Sequence, residues 1–284
     1  MISEAKVTSL CENSVSFPGV GIRGEHGVSM LLETGGKKIL FDTGAGLTLV
    51  QNAFALKIDL TSIDAVVLSH GHYDHTGGLK KLLDITGPLP VYVHPAIFDK
   101  EFHLHESHGP EPMQIGIPWS KEEMEGFGAK FHISKTPTKI VDGVTITGEI
   151  PRTNNLEKGR EGEFLRQNAD GSFYEDILPD DQAIILETSL GTVALLGCAH
   201  AGLINTLRYA NEVTGNSKVY ACIGGTHLVD ASAERLDFTL KELENFDLKK
   251  IAACHCTGFK AACILSQAFG DRFSTFAPGT MFKF

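Results

Sequence analysis

The chain has 284 residues, 42% hydrophobic and 21% charged, with 35 Asp and Glu against 25 Lys and Arg for a net charge of −10. A chain this apolar is not disordered, and at this length it buries roughly three quarters of its unfolded surface. The acidic balance argues against broad nucleic-acid binding, which needs a basic face, but leaves room for a small anionic substrate held by a local basic cluster.

No run approaches the roughly 18 apolar residues of a membrane span. The N-terminal stretch carries Glu4, Lys6 and Glu12 without an apolar signal-peptide core. The chain therefore reads as cytoplasmic, with no membrane partner; a homo-oligomer remains open. Its 6 cysteines are irregularly spaced, mostly inside apolar runs, and read as reduced core thiols rather than a disulfide framework. The unusual count is 12 histidines beside 1 tryptophan.

In chain order, Val28–Glu33 and Lys38–Asp42 are β-favouring runs split by Gly35 and Gly36, a predicted hairpin. Ala45–Lys57 reads as helix. Ala65–Ser69 is an unbroken apolar run suited to a strand buried on both faces, and it leads directly into His70. A helix opens near Gly77–Leu83, and a strand over Val91–Val93 ends at His94. From Asp99 the rhythm breaks: Pro110, Pro112 and Pro118 accompany His103, His105 and His108. Residues 99–130 are expected to be a lid over a site. Val144–Gly148 returns to strand character, and residues 152–181 read as a charged loop. The last third alternates again: strands at Gln182–Glu187 and Thr192–Leu196, a helix at Leu203–Glu212, a strand at Lys218–Ile223, a helix at Ala233–Asn245, a strand at Lys250–Ala253, and a helix near Lys260–Ala268.

Met30–Gly44 resembles Ala183–Gly197 through a shared Leu-Glu-Thr core and a hairpin of similar length. Each is followed by a helix and a buried strand ending in histidine, then by a helix and a second such strand. The strand ends are His70 and His94 in one copy, His227 and His255 in the other. Two pseudo-repeated halves of this kind, packed sheet to sheet with helices outside, predict an α/β fold: a four-layer α/β/β/α sandwich forming a single domain over residues 1–284.

His70, His72, Asp74 and His75 form H-x-H-x-D-H just after a buried strand and before Thr76-Gly77-Gly78. Imidazole and carboxylate suit zinc and its first-row neighbours, and these side chains converge only if the backbone coils tightly. Alternation turns His70 and His72 toward one metal, and Asp74 and His75 toward a second. A solvated polar loop would account for one histidine here, and poorly for three.

These residues resemble the metallo-β-lactamase superfamily, whose defining motif is H-x-H-x-D-H and whose fold is the four-layer sandwich. The resemblance implies a site between the sheets holding one or two divalent metal ions, zinc first and manganese or iron as alternatives, with a metal-bound hydroxide as nucleophile. Asp42-Thr43-Gly44 matches the superfamily's D-x-G element, whose Asp is expected to orient a ligating histidine. Further matches are the segments Thr147–Arg152, Asp180–Ala183, Gly197–Gly202, Gly224–Leu228 and His255–Gly258. Together they resemble the branch of 7,8-dihydropterin-6-methyl-4-(β-D-ribofuranosyl)aminobenzene 5′-phosphate synthase-like proteins, over most of the chain.

His255 matches the superfamily's final ligand. Gly148-Glu149-Ile150-Pro151 stands where the common pattern has G-H-T-P, and Gly197-Cys198 stands where it has G-D. His200 is taken as the replacement metal ligand, with Glu149 and Cys198 as alternates. Arg152 is a candidate clamp for a substrate phosphate or carboxylate, or a plain surface charge. His227 is expected to face the cleft and contact substrate or a developing oxyanion, and Asp74 to orient the nucleophile while holding metal. His26, His94 and His132 are assigned no role.

The leading expectation is a metal-dependent hydrolase of a small anionic substrate such as a phosphate ester or phosphodiester. The alternatives are a synthase joining a pterin to an aminobenzene ribofuranosyl phosphate and a non-catalytic metal sensor.

Overall fold

The computed structural model describes residues 1–16, 21–104, 109–158 and 162–284. Strand β1 (Ala5–Cys11) pairs antiparallel with β2 (Ser29–Thr34), which turns back into β3 (Lys37–Phe41). Gly35 and Gly36 both take positive φ, 56° and 71°, the backbone that a two-residue hairpin turn needs to match strand twist. Then follow α1 (Leu49–Ala55), β4 (Ala65–Val67), the one-turn helix α2 (Tyr73–Thr76), α3 (Leu79–Thr86) and β5 (Leu89–Val93). The middle of the chain supplies β6 (Glu101–His103), β7 (Met113–Gln114), α4 (Lys121–Gly126), β8 (Ala129–Ile133), β9 (Thr138–Val141), β10 (Val144–Ile146), β11 (Phe164–Gln167) and β12 (Phe173–Glu175). The remainder is β13 (Ala183–Thr188), β14 (Gly191–Leu196), α5 (Leu203–Thr214), β15 (Val219–Gly225), α6 (Ala233–Glu244), β16 (Lys250–Cys254), α7 (Phe259–Phe269), β17 (Phe273–Thr275) and β18 (Met281–Lys283).

Two seven-stranded sheets result, ordered β18-β1-β2-β3-β4-β5-β8 and β17-β16-β15-β14-β13-β10-β9. In each, a hairpin (β2–β3 or β13–β14) leads into parallel strands (β4 and β5, or β15 and β16). This is the pseudo-repeat expected from the Leu-Glu-Thr hairpins.

The unbroken apolar runs follow from burial on both faces. Met30 and Leu32, Ile39 and Phe41, Ile184 and Leu186, and Val193 and Leu195 fill the core between the sheets. Their alternates face helices: Leu31 and Leu40 meet Leu49 of α1, Leu82 of α3 and Met124 of α4. Ile185 and Leu196 meet Leu207 of α5, Leu243 of α6 and Leu265 of α7. Helix, sheet, sheet and helix form the four layers. Among the described residues, no helix is long and apolar enough to cross a membrane.

The structure corrects the reading of residues 99–130 and 152–181 as a separate lid and loop. Strands β6 and β7 from the first and β11 and β12 from the second form one four-stranded sheet, β12-β11-β6-β7. Strand β8 belongs instead to the first large sheet, parallel to β5. The small sheet is hard to recognise because its interior is ionic. The Arg166 guanidinium, 5% exposed, lies 2.6 Å from Asp99, 3.0 Å from Glu101, 2.8 Å from Asp176 and 2.9 Å from Asp180. Burial, with Asp180 close by, pushes the Glu101 carboxyl well above its ordinary pKa.

Replacing Arg166 with Met leaves Glu101, Asp176 and Asp180 buried without their shared cation. The expected loss is about 3–5 kcal/mol of folding stability, read as a lower urea midpoint. A loss under about 1 kcal/mol, the scale of an exposed pair, would show that the cluster contributes no more than a surface salt bridge.

Candidate metal centre

Strand β4 delivers Ser69 and His70 at its C-terminal end. His72 is still extended (φ −61°, ψ 141°) and caps α2, so the chain turns helical only at Tyr73 and swings Asp74 and His75 back over the strand end. This tight coil needs glycine around it: a Cβ on Gly27 would fall 2.4 Å from the Asp74 carbonyl oxygen, and one on Gly78 would fall 2.1 Å from the Thr43 carbonyl oxygen.

The fully buried Asp42 carboxylate binds the coil from beneath. It accepts from Ser69 N–H at 2.6 Å and Ser69 Oγ–H at 2.7 Å, and lies 2.7 Å from His75 Nδ1. That contact aims His75 Nε2 into the site, the orienting role expected of the D-x-G aspartate.

Two clusters face the same cleft. In one, His70 Nε2 lies 3.1 Å from His72 Nδ1, and His200 offers a ring nitrogen within 4.8 Å of theirs. In the other, His75 Nε2 lies 3.3 Å from His255 Nε2 and 3.5 Å from Asp74 Oδ2, and His255 Nε2 is 3.1 Å from the same oxygen. Cys198 Sγ stands 3.2 Å from His75 Nε2 and groups with residues of both clusters.

Electrostatics divides the two. Burial and neighbouring imidazoles push His70 and His200 well below their ordinary pKa, and burial carries His72 down to about 3. These rings are neutral, with lone pairs to donate. Burial acts to lower His75 too, but Asp74 and Asp42 prevail and hold it up at about 9. Crowded imidazoles, a carboxylate and a thiol form a donor set suited to divalent cations. Among the described residues, His72 Nε2 and His200 Nε2 are buried without a hydrogen-bond partner, as expected of rings whose polar contacts await an ion or ligand.

The structure thus brings together His70, His72, Asp74, His75, His200 and His255 from the C-terminal ends of β4, β14 and β16. His227, after β15, packs against His200 with ring centroids 4.2 Å apart and lines the cleft with its Nδ1 unpartnered. Arg152 is placed elsewhere: its Nη2 donates to the carbonyls of Ile177 and His200, and it does not line the cleft. It ties down the His200 loop and lies near the carboxylates of Asp181, Asp176 and Asp180. Glu149 is also remote, 46% exposed beside His94. His132 stacks on Tyr92, His103 stacks on Phe164 at the cleft wall, and His105 and His108 lie outside the described residues.

Sequence reasoning missed His26, whose Nε2 lies 3.3 Å from Asp74 Oδ2. It also missed Asn13, 2.8 Å from His255 Nδ1, and Glu12, which accepts from His255 N–H at 2.7 Å. None stands in a recognisable spacing, because each reaches the site from the loops beyond β1. Cys256 was likewise unmarked, and lines the cleft beside Cys198. The cleft holds about 550 Å³ and is walled on its outer side by Phe164, Met113 and Ile115.

The model of the metallo-beta-lactamase superfamily matches residues 22–255. The 7,8-dihydropterin-6-methyl-4-(beta-D-ribofuranosyl)-aminobenzene-5′-phosphate synthase of Methanocaldococcus jannaschii is 33% identical over 100% of this chain and 98% of its own. A solved metal-dependent hydrolase of the beta-lactamase superfamily superposes with a TM-score of 0.83 at 26% identity, covering 98% of each chain. An isothiocyanate hydrolase from Delia radicum gut bacteria shares the fold at a TM-score of 0.54 and 16% identity, covering 98% of this chain and 99% of its own.

Replacing Asp42 with Ala strands the Ser69 N–H and releases His75. Folding stability is expected to fall by about 1–3 kcal/mol, and metal affinity, read by competition with a chromogenic chelator, by about 10- to 100-fold. An unchanged affinity would remove Asp42 from any part in holding the site.

Proposed function

The chain belongs to the metallo-β-lactamase superfamily, and from that premise we propose that it is a metal-dependent hydrolase of a small anionic substrate, such as a phosphate ester or phosphodiester. The observation that carries the reading is the pair of ligand clusters opening on one cleft. A closed ligand set would suit a structural or sensing role, whereas a cleft leaves room for water and substrate beside the ligands.

In this reading His70, His72 and His200 hold one cation, and Asp74, His75 and His255 hold a second, with Cys198 between them. The mixed nitrogen, oxygen and sulfur donors suit zinc, with manganese or iron as alternatives. A divalent cation there supplies Lewis acidity, polarising a scissile oxygen and acidifying water.

The chain's own groups do the rest. Asp74, within 3.5 Å of His26, His75 and His255, would fix the approach of the nucleophile while holding the cation. His227 presents its unpartnered Nδ1 to a developing oxyanion. Phe164, Met113 and Ile115 exclude water from the reacting group. The net charge of −10 disfavours a polyanionic nucleic acid, while the cleft volume of about 550 Å³ suits a small molecule.

A synthase joining a pterin to an aminobenzene ribofuranosyl phosphate is the second reading, favoured by the full-length relative of that name.

Purified protein is expected to carry one or two divalent ions per chain by elemental analysis and to hydrolyse at least one of p-nitrophenyl phosphate, bis(p-nitrophenyl) phosphate and a lactone. The double replacement His70→Ala, His72→Ala is expected to lose metal and at least about 10³-fold in rate, on the scale of removing a principal catalytic element. Full activity in that variant would sink the metal mechanism. Bound metal without turnover on any substrate favours the sensor, and condensation of a pterin with the aminobenzene phosphate favours the synthase.

A further inference from the structure

Beyond Val229 the cleft continues into a second cavity of about 540 Å³, and both are lined by Val229, Asp230 and Arg235. Among the described residues, Lys158 and Lys260 join Arg235 in lining the second cavity, three cations to the one carboxylate of Asp230. Among the described residues, Arg235 is the only Lys or Arg that lines the metal cleft itself.

Arg235 occupies the first turn of α6, where its backbone N–H is held by Ser232 Oγ at 3.1 Å. Its side chain is half-buried, and among the described residues it makes no ion pair, while its Nε is buried without a hydrogen-bond partner. Burial draws its pKa below the ordinary value for arginine, outweighing the nearby Glu157 carboxylate, which acts to raise it without forming an ion pair. The contrast with Arg166 is informative: that buried guanidinium is surrounded by Asp99, Glu101, Asp176 and Asp180. Taking a guanidinium partly out of water without a direct ion-pair partner costs stability. In a chain with a 10-charge excess of acid, a carboxylate partner would be easy to supply.

We propose that Arg235, with Lys260 and Lys158 beyond it, forms an anion subsite that anchors a non-reacting phosphate monoester of the substrate, separate from the metal clusters. The guanidinium fork matches two phosphate oxygens at once, and the two ammonium groups add charge without fixed geometry. Three cations favour a dianionic phosphate over a single carboxylate. The proposal rests on the hydrolase reading for its substrate but not for its binding. An anchor remote from the reacting bond would contribute binding energy that positions that bond at the metals.

The test uses glycerol 3-phosphate as probe and glycerol as its uncharged control, with binding read by calorimetry. The metal-loaded protein and the same protein stripped with EDTA are both expected to bind the phosphate, with affinities within about threefold of each other, and to ignore glycerol. Arg235→Gln is expected to weaken binding about 10-fold or more, the scale of one lost charge-assisted contact. Arg235→Lys recovers part of that loss, and the exposed Lys260→Gln gives a smaller loss. Metal content stays at the wild-type level in all three variants.

Equal binding by wild type and Arg235→Gln overturns the subsite, as does binding that disappears with the metal, because the phosphate then sits on the ions. Absence of binding to the wild type also overturns it. Arg235-dependent binding in a protein that hydrolyses nothing leaves the subsite standing and removes the hydrolase reading. Turnover of a phosphorylated substrate with KM unchanged in Arg235→Gln does the reverse.

Discussion

The Asp42 carboxylate is the contact on which the site depends. It is fully buried at the end of β3, in a backbone conformation with φ 61° that non-glycine residues seldom adopt. From there it binds the end of β4 through Ser69 and the coil beyond through His75. A buried carboxylate is stable only when its lone pairs are met by donors, and here the donors are groups that set where the histidines point. One interaction therefore joins two strands of the sheet to the chemistry above them.

The same conformation recurs around the site. Ala199, His227 and His255 also have positive φ, 55°, 45° and 52°, and they follow β14, β15 and β16 as Asp42 follows β3. Each is a place where a strand must stop abruptly and turn its next side chain inward. Strain of about 1–3 kcal/mol at a residue persists where the surroundings over-determine it, and the two large mixed sheets provide such surroundings. Ligand sites of open α/β sheets lie outside the carboxyl ends of the strands. In this chain two sheets, related by an internal repeat, direct those ends toward one cleft.

The small sheet completes the site from the opposite side. Arg166 holds Asp180, and Asp180 Oδ2 accepts from Gly71 N–H at 2.7 Å, between the two leading histidines of the motif. Glu101 approaches Gly71 so closely that a Cβ there would lie 2.6 Å from its Oε2. The ion cluster buried in the cover therefore also positions the peptide between His70 and His72. Phe164 of the same sheet stacks on His72, with ring centroids 5.6 Å apart, so the cover contributes both apolar wall and orientation.

The amino-acid sequence by itself determined the elements whose signals are local. The hairpins showed in Gly35-Gly36 and in the alternating apolar runs, and the buried strands in unbroken ones. The motif from His70 to His75 was legible because its ligands lie within a single coil. The repeat made the two halves and the strand-end histidines readable as well. Tertiary structure alone decided what depended on distance through space. It brought His26, Asn13 and Glu12 to the second cluster, placed Cys198 between the clusters, and turned Arg152 toward backbone carbonyls while leaving Arg235 at the cleft. It also converted two polar segments into one sheet, because Arg166 and its carboxylates neutralise one another across 67 residues of chain separating Asp99 from Arg166. Spacing along a chain reports only neighbours within a turn or a strand. Which charge is met by protein and which is left for a ligand is settled by packing between segments far apart in sequence.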